Sequence, residues 1–121
     1  MRNLDGEQTL VRIFIGESDT WHGRPLHVAL LERLRKEGFA GATVLRGIAG
    51  FGARSVLHTT HVLRLSADLP LVIEVVETAE HVERMRPILR EMVTDGLVTL
   101  ETVRVLHYAA RAPGAQGQGE G

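Results

Sequence analysis

The residues with most chemical potential form one run, Arg46-Gly47-Ile48-Ala49-Gly50-Phe51-Gly52, entered directly from Gly41-Ala42-Thr43-Val44-Leu45. Glycine lets a backbone take φ > 0 or approach a ligand closely. A strand ending in Arg-Gly-x-x-Gly-x-Gly therefore offers backbone N–H groups beside a fixed positive charge, the make-up of an anion cradle. The plainer reading is a glycine-rich turn at the base of a mobile loop. A second candidate is His58-Thr59-Thr60-His61, where two imidazoles at H-x-x-H spacing can chelate zinc or copper. Two ligands are too few for a tight site, and the sequence signposts no third. Solvated loop histidines are the default, with one of them suited to a ligand or partner contact because histidine titrates near neutral pH. His22, His27, His81 and His107 are scattered and form no motif.

Enzyme chemistry finds little support. There is no nucleophile elbow, no H-E-x-x-H and no Walker loop with its lysine and hydroxyl after the glycines. Asp68 and Glu74 are not paired as acid and base, and Asp68 before Leu69-Pro70 reads as a turn former at a strand entry. With no cysteine, disulfides, thiolate catalysis and Cys-based zinc sites are excluded. A formal net charge of -1 gives no reason to expect nucleic acid or an anionic membrane as partner. No apolar stretch approaches the roughly 20 residues that span a bilayer, and residues 1–7 lack the apolar region of a signal peptide. The expectation is a cytoplasmic non-enzyme with no metal and no cofactor.

A chain of 121 residues makes one domain. With 44% hydrophobic but only 4% aromatic residues, its core must be aliphatic. Leu10 to Ile15 reads as a first strand closed by Gly16, followed by a polar connection from Glu17 to Gly23 that holds Trp21, a partly buried surface anchor. Pro25 suits the first position of a helix whose apolar side is Leu26, Ala29, Leu30 and Leu34, with Gly38 as its stop. Ala42 to Arg46 is a second strand leading into the glycine turn. Leu69 to Val76 is nearly all apolar and reads as a central strand buried on both faces. Thr78 caps a second helix with an inner stripe of Val82, Met85, Leu89 and Met92, ended by Gly96. Leu97 to Tyr108 is a last extended segment.

This order, β-α-β, a long loop, then β-α-β, is the α+β ferredoxin-like pattern βαββαβ: a four-stranded antiparallel sheet with both helices on one face. The first and third strands are expected side by side in the middle, running parallel. Residues 1–8 read as a flexible N-terminus, 9–108 as the domain and 109–121 as a disordered tail. Two helices cover only one side of such a sheet. The other side then exposes Leu10, Phe14, Val72 and Val76 around Arg12 and Glu74, with Arg12 near Glu74. Such a face predicts a homo-oligomer.

Gly23-x-Pro25-Leu26, Gly41-Ala42-Thr43-Val44-x-Arg46-Gly47-Ile48-x-Gly50-Phe51-Gly52, Leu65-Ser66-x-Asp68-Leu69-Pro70 and Gly96-Leu97-Val98 together resemble the PII-like proteins grouped as domain of unknown function 190. The likeness runs from about Leu10 to Tyr108. It implies a ferredoxin-like protomer, a homotrimer, and clefts between subunits that take small effectors, often adenine nucleotides. It also implies that the long loop after the second strand acts on a target, frequently a transporter, channel or metabolic enzyme. Carried onto this chain, the loop base is Arg46, Gly47, Gly50, Phe51 and Gly52, and the loop spans roughly Ala53 to Ser66. PII proteins hold phosphates with a glycine- and lysine-containing loop after the second helix. Here Asp95-Gly96-Leu97-Val98 passes into the last strand with no lysine, Lys36 being the chain's single one, and Arg104 is the remaining candidate to supply charge.

Three functions follow. The first is a trimeric regulator sensing a small anionic effector at the Arg46 loop base and signalling through residues 53–66, with ordering of that loop as the response. The second is a metal-binding or metal-responsive trimer using His58 and His61. The third is an enzyme with its site between subunits. The glycine string and the long loop favour the first.

Overall fold

A computed structural model describes residues 3–52 and 68–111. In chain order they form β1 (Gly6–Gly16), the two-residue strands β2 (Thr20–Trp21) and β3 (Arg24–Pro25), α1 (Leu26–Lys36), β4 (Thr43–Arg46), β5 (Pro70–Glu77), α2 (Ala79–Met92) and β6 (Leu97–Val105). The β2–β3 pair apart, this is βαββαβ. The four longer strands make one antiparallel sheet in the order β4-β5-β1-β6.

Alternation along the two central strands decides the faces. Val11, Ile13 and Ile15 of β1 and Leu71, Ile73 and Val75 of β5 are buried, in one cluster with Leu26, Ala29, Leu30 and Leu34 of α1 and Val82, Met85, Ile88, Leu89 and Met92 of α2. Both helices therefore lie on one face. The expected parallel pairing of β1 with the strand after the loop is wrong: β1 and β5 are antiparallel, with Arg12 opposite Glu74. The reason is topological. α1 returns the chain so that β4 runs in the direction of β1, and β5 reverses after β4. Nor is β5 buried on both faces, since Val72, Glu74 and Val76 are only half-buried.

α1 starts just after Pro25, which sits at the N-cap rather than inside the helix. The helix stops as the sequence suggests. Gly38 takes φ +90°, its N–H donates to the Arg35 carbonyl at 3.1 Å, and the Phe39 N–H donates to the Leu34 carbonyl at 3.1 Å. That is a Schellman closure, which glycine adopts without a Cβ penalty. Thr78 caps α2, its side chain accepting the His81 N–H at 3.1 Å. α2 ends at Met92, however, not at Gly96.

The chain enters the sheet earlier than expected. Residues 6–8 belong to β1 and pair with β6, and Leu4 is buried, so residues 4–8 are structured. The connection from Glu17 to Gly23 holds a small hairpin, turned at His22 (φ 49°) and Gly23 (φ +81°). Two central residues at positive φ match the tight turn that follows strand twist. Trp21 packs against the core, and Arg24 bonds Glu32 of α1 at 2.9 Å, holding that carboxyl below the usual carboxylate range. Among the described residues no helix is long and apolar enough to cross a membrane.

Candidate functional site

The fold gathers strand ends at one edge of the sheet. There β1 finishes, β5 and β6 begin, and the glycine turn after β4 leaves. A cleft of about 570 Å³ opens between them, within the ~300–1,000 Å³ usual for small-molecule sites. Phe14, Ile15 and Gly16 line it from β1, Asp68 and Pro70 from the start of β5, and Asp95, Gly96 and Leu97 from the turn into β6. Asp19 and Gly50-Phe51-Gly52 complete it.

Among the described residues its charged lining is acidic: Asp19, Asp68 and Asp95, with no lysine or arginine. Asp19 accepts the Gly16 N–H at 2.9 Å and Asp68 accepts the Ser18 N–H at 3.0 Å. The two carboxylates thus brace the turn leaving β1, Asp68 from across the sheet rather than within its own turn. Both stand close over Gly16, where an added Cβ would lie 2.8 Å from an Asp68 oxygen and 3.3 Å from an Asp19 oxygen. Carboxylates so placed accept hydroxyl, amino or amide protons and repel anions.

The glycine turn is at the cleft, but it is not wholly a cradle. The Gly47 N–H donates to the Pro70 carbonyl at 2.7 Å, and an added Cβ at Gly47 would come within 2.8 Å of the Pro70 ring. Gly47 is therefore small to let the turn lie on Pro70, and its own N–H is taken. The N–H groups of Ile48, Ala49, Gly50 and Phe51 have no hydrogen-bond partner among the described residues. Arg46, at the end of β4, does not line the cleft. Beside it, its guanidinium bonds the Glu17 carboxylate.

Arg104 faces Glu7 at the far end of β6, seven residues beyond Leu97. At ~3.4 Å per residue that is about 24 Å, so within one protomer Arg104 does not join Arg46. His58, His61 and the loop of residues 53–66 lie outside the described residues. Among those described, no group of three His, Cys, Asp or Glu side chains is placed to hold a metal ion.

The uncovered sheet face is layered in rows. Leu45, Val72, Phe14 and Leu97 cross it in one row, and Thr43, Glu74, Arg12 and Thr99 in the next. Arg12 bonds Glu74 at 3.0 Å and Glu101 at 2.9 Å. The Glu74 hydrogen bond is the larger cause that holds the guanidinium charged beyond the usual arginine range, opposed by desolvation and aided by Glu101.

Asp19, Asp68 and Asp95 are the charged site residues that sequence reasoning missed, Asp68 reading there only as a turn former. Each sits at a strand end beside a turn, which is a visible signal, but only the sheet order shows that these turns share one edge.

The fold and its edge cleft define an α+β protein of ferredoxin-like architecture. Residues 8–105 match the model of the DUF190 family, described as Uncharacterized ACR, COG1993. The chain belongs to that family. It is 35% identical over 101 residues to a UPF0166 protein of Aquifex aeolicus (strain VF5), covering 84% of this chain and 95% of the relative. It is 34% identical over 97 residues to the UPF0166 protein MJ1524 of Methanocaldococcus jannaschii, covering 79% of this chain and 89% of that one. In structure it is similar to a Thermus thermophilus protein described as PII-like and signalling. The TM-score is 0.57 at 19% identity, over 84% of this chain and 91% of the other, which is a likeness of fold.

Proposed function

We propose that this protein is a PII-like regulator that works as a homotrimer, binds a nucleotide effector at the edge cleft, and acts on a transporter, channel or enzyme through the loop after β4. Family membership and the fold of the PII-like neighbour support the regulatory class. The observation that carries the effector reading is the make-up of the cleft. Phe14 and Phe51 offer apolar ring surface, three aspartates accept hydrogen bonds from ribose hydroxyls or a base amino group, and the N–H groups of Ile48 to Phe51, without a partner among the described residues, follow Arg46.

This arrangement refines the expectation of an anionic effector. The nucleoside part is what the cleft suits, and the phosphate belongs outside it, toward Arg46 or an Arg104 contributed by a neighbouring subunit. Each further phosphate adds negative charge near Asp19, Asp68 and Asp95, where no lysine stands to offset it. A monophosphate is therefore favoured over a triphosphate. A thermal-shift series of adenosine, AMP, ADP and ATP tests this. The expected order is AMP largest and ATP smallest, with about 2.7 kcal/mol of stabilisation at a hundred times the dissociation constant. An ATP shift exceeding that of AMP would overturn the acidic-cleft reading.

A further inference from the structure

Arg46, the arginine on which the nucleotide reading relies, is already engaged. Its guanidinium donates to the Glu17 carboxylate. We propose that Glu17 is a built-in competitor for the effector's phosphate, occupying Arg46 when the cleft is empty and yielding it when a phosphate arrives. This inference rests on the nucleotide reading of the cleft.

The backbone is arranged for such an exchange. The Glu17 N–H donates to the Leu69 carbonyl at 2.8 Å, and the Gly47 N–H, one residue after Arg46, donates to the Pro70 carbonyl at 2.7 Å. Both partners are thus pinned to consecutive residues at the entry to β5, so the pair opens by side-chain motion alone. The arginine is the freer member, 61% exposed against 25% for Glu17. It can turn outward while the carboxylate stays. Glu17 also lies between Gly16 and Asp19, both of which line the cleft, so a molecule seated there is next to the pair.

Charge then gives the exchange a meaning. A nucleoside without phosphate carries nothing that competes with a carboxylate for Arg46, and it leaves the pair closed. A phosphate monoester brings up to two negative charges and competes on better terms. Occupying the cleft and opening the pair are separate events, and only the phosphorylated ligand does both. Exposed ion pairs are worth little, so the competitor should weaken phosphate binding by about two- to fivefold and no more.

Calorimetric titration of the full chain with adenosine and with AMP tests this in the wild type, Glu17→Gln, Arg46→Ala and the double variant. Glu17→Gln should bind AMP about two- to fivefold tighter and adenosine unchanged. Arg46→Ala should lower AMP to the level of adenosine, and the double variant should recover nothing. If Arg46→Ala weakens AMP but Glu17→Gln leaves it unchanged, the competitor is overturned while the nucleotide reading stands. If neither ligand binds the wild type, the nucleotide reading fails, and the competitor is decided with inorganic phosphate, followed at the Arg46 Nε–H resonance. A response at lower phosphate in Glu17→Gln upholds it, and identical responses sink it.

Discussion

Glu77 ends the inward alternation Leu71, Ile73, Val75 of β5 and is fully buried in a core that is otherwise apolar. A carboxylate there persists only if its oxygens are satisfied. One accepts the Ala40 N–H at 2.7 Å, from the connection between α1 and β4, and the other accepts the Thr78 N–H at 3.1 Å, at the cap of α2. One side chain thus fastens three segments: the end of β5, the start of α2 and the approach to the strand that carries Arg46. Truncation to alanine strands the Ala40 N–H, which costs about 1–3 kcal/mol. Urea unfolding of Glu77→Ala should show that loss, and Glu77→Gln, which keeps one acceptor oxygen, should lose less. A Glu77→Leu variant as stable as the wild type would mean that volume, not hydrogen bonding, is what the site needs.

At the scale of elements, α2 carries an internal cost. Pro87 lies mid-helix and exposed, and its missing N–H forfeits the bond to the Glu83 carbonyl. Proline is about 3 kcal/mol worse than alanine in a helix interior, partly offset by ~0.4–1 kcal/mol through restriction of the unfolded chain. Pro87→Ala should therefore raise stability by about 2–2.6 kcal/mol, seen as a higher urea midpoint at unchanged slope. An unchanged midpoint would show that the helix has already relaxed around the ring. The helices were otherwise legible in the sequence, because Gly38 and Thr78 are cap residues by their own chemistry. Gly96 misled because its smallness answers a tertiary demand: an added Cβ would sit 2.5 Å from the Phe14 carbonyl, so glycine is needed where the chain crosses β1, not to end α2. The hairpin of Thr20–Trp21 with Arg24–Pro25 is too short for periodicity to register. The site divides in the same way. The glycine turn was readable because glycine carries local information. Glu17 was not, because it meets Arg46 from 29 positions away and only the sheet order brings them together.

At the scale of the whole molecule, the question is what covers the sheet face that the helices leave bare. Leu45 and Leu97 at its two edges are 47% and 57% exposed, with Val72 and Phe14 between them. Four apolar side chains in one row are poorly explained by solvent. The neighbouring row makes the face fit for burial, since Arg12 already has both Glu74 and Glu101 as partners in its own protomer. Burial would not strand Arg12, which avoids the usual penalty for burying an arginine. Proposed trimer formation through this face therefore needs only apolar contact, with Phe14 near the middle of the contact row. Light scattering of the wild type should give three times the chain mass. Phe14→Glu places a carboxylate in the row with no partner supplied and should yield a folded monomer, with helix and sheet content kept by circular dichroism. A wild type that runs as a monomer would remove the trimer from the proposed function. A Phe14→Glu protein that stays trimeric would keep the trimer but move its contact to another surface.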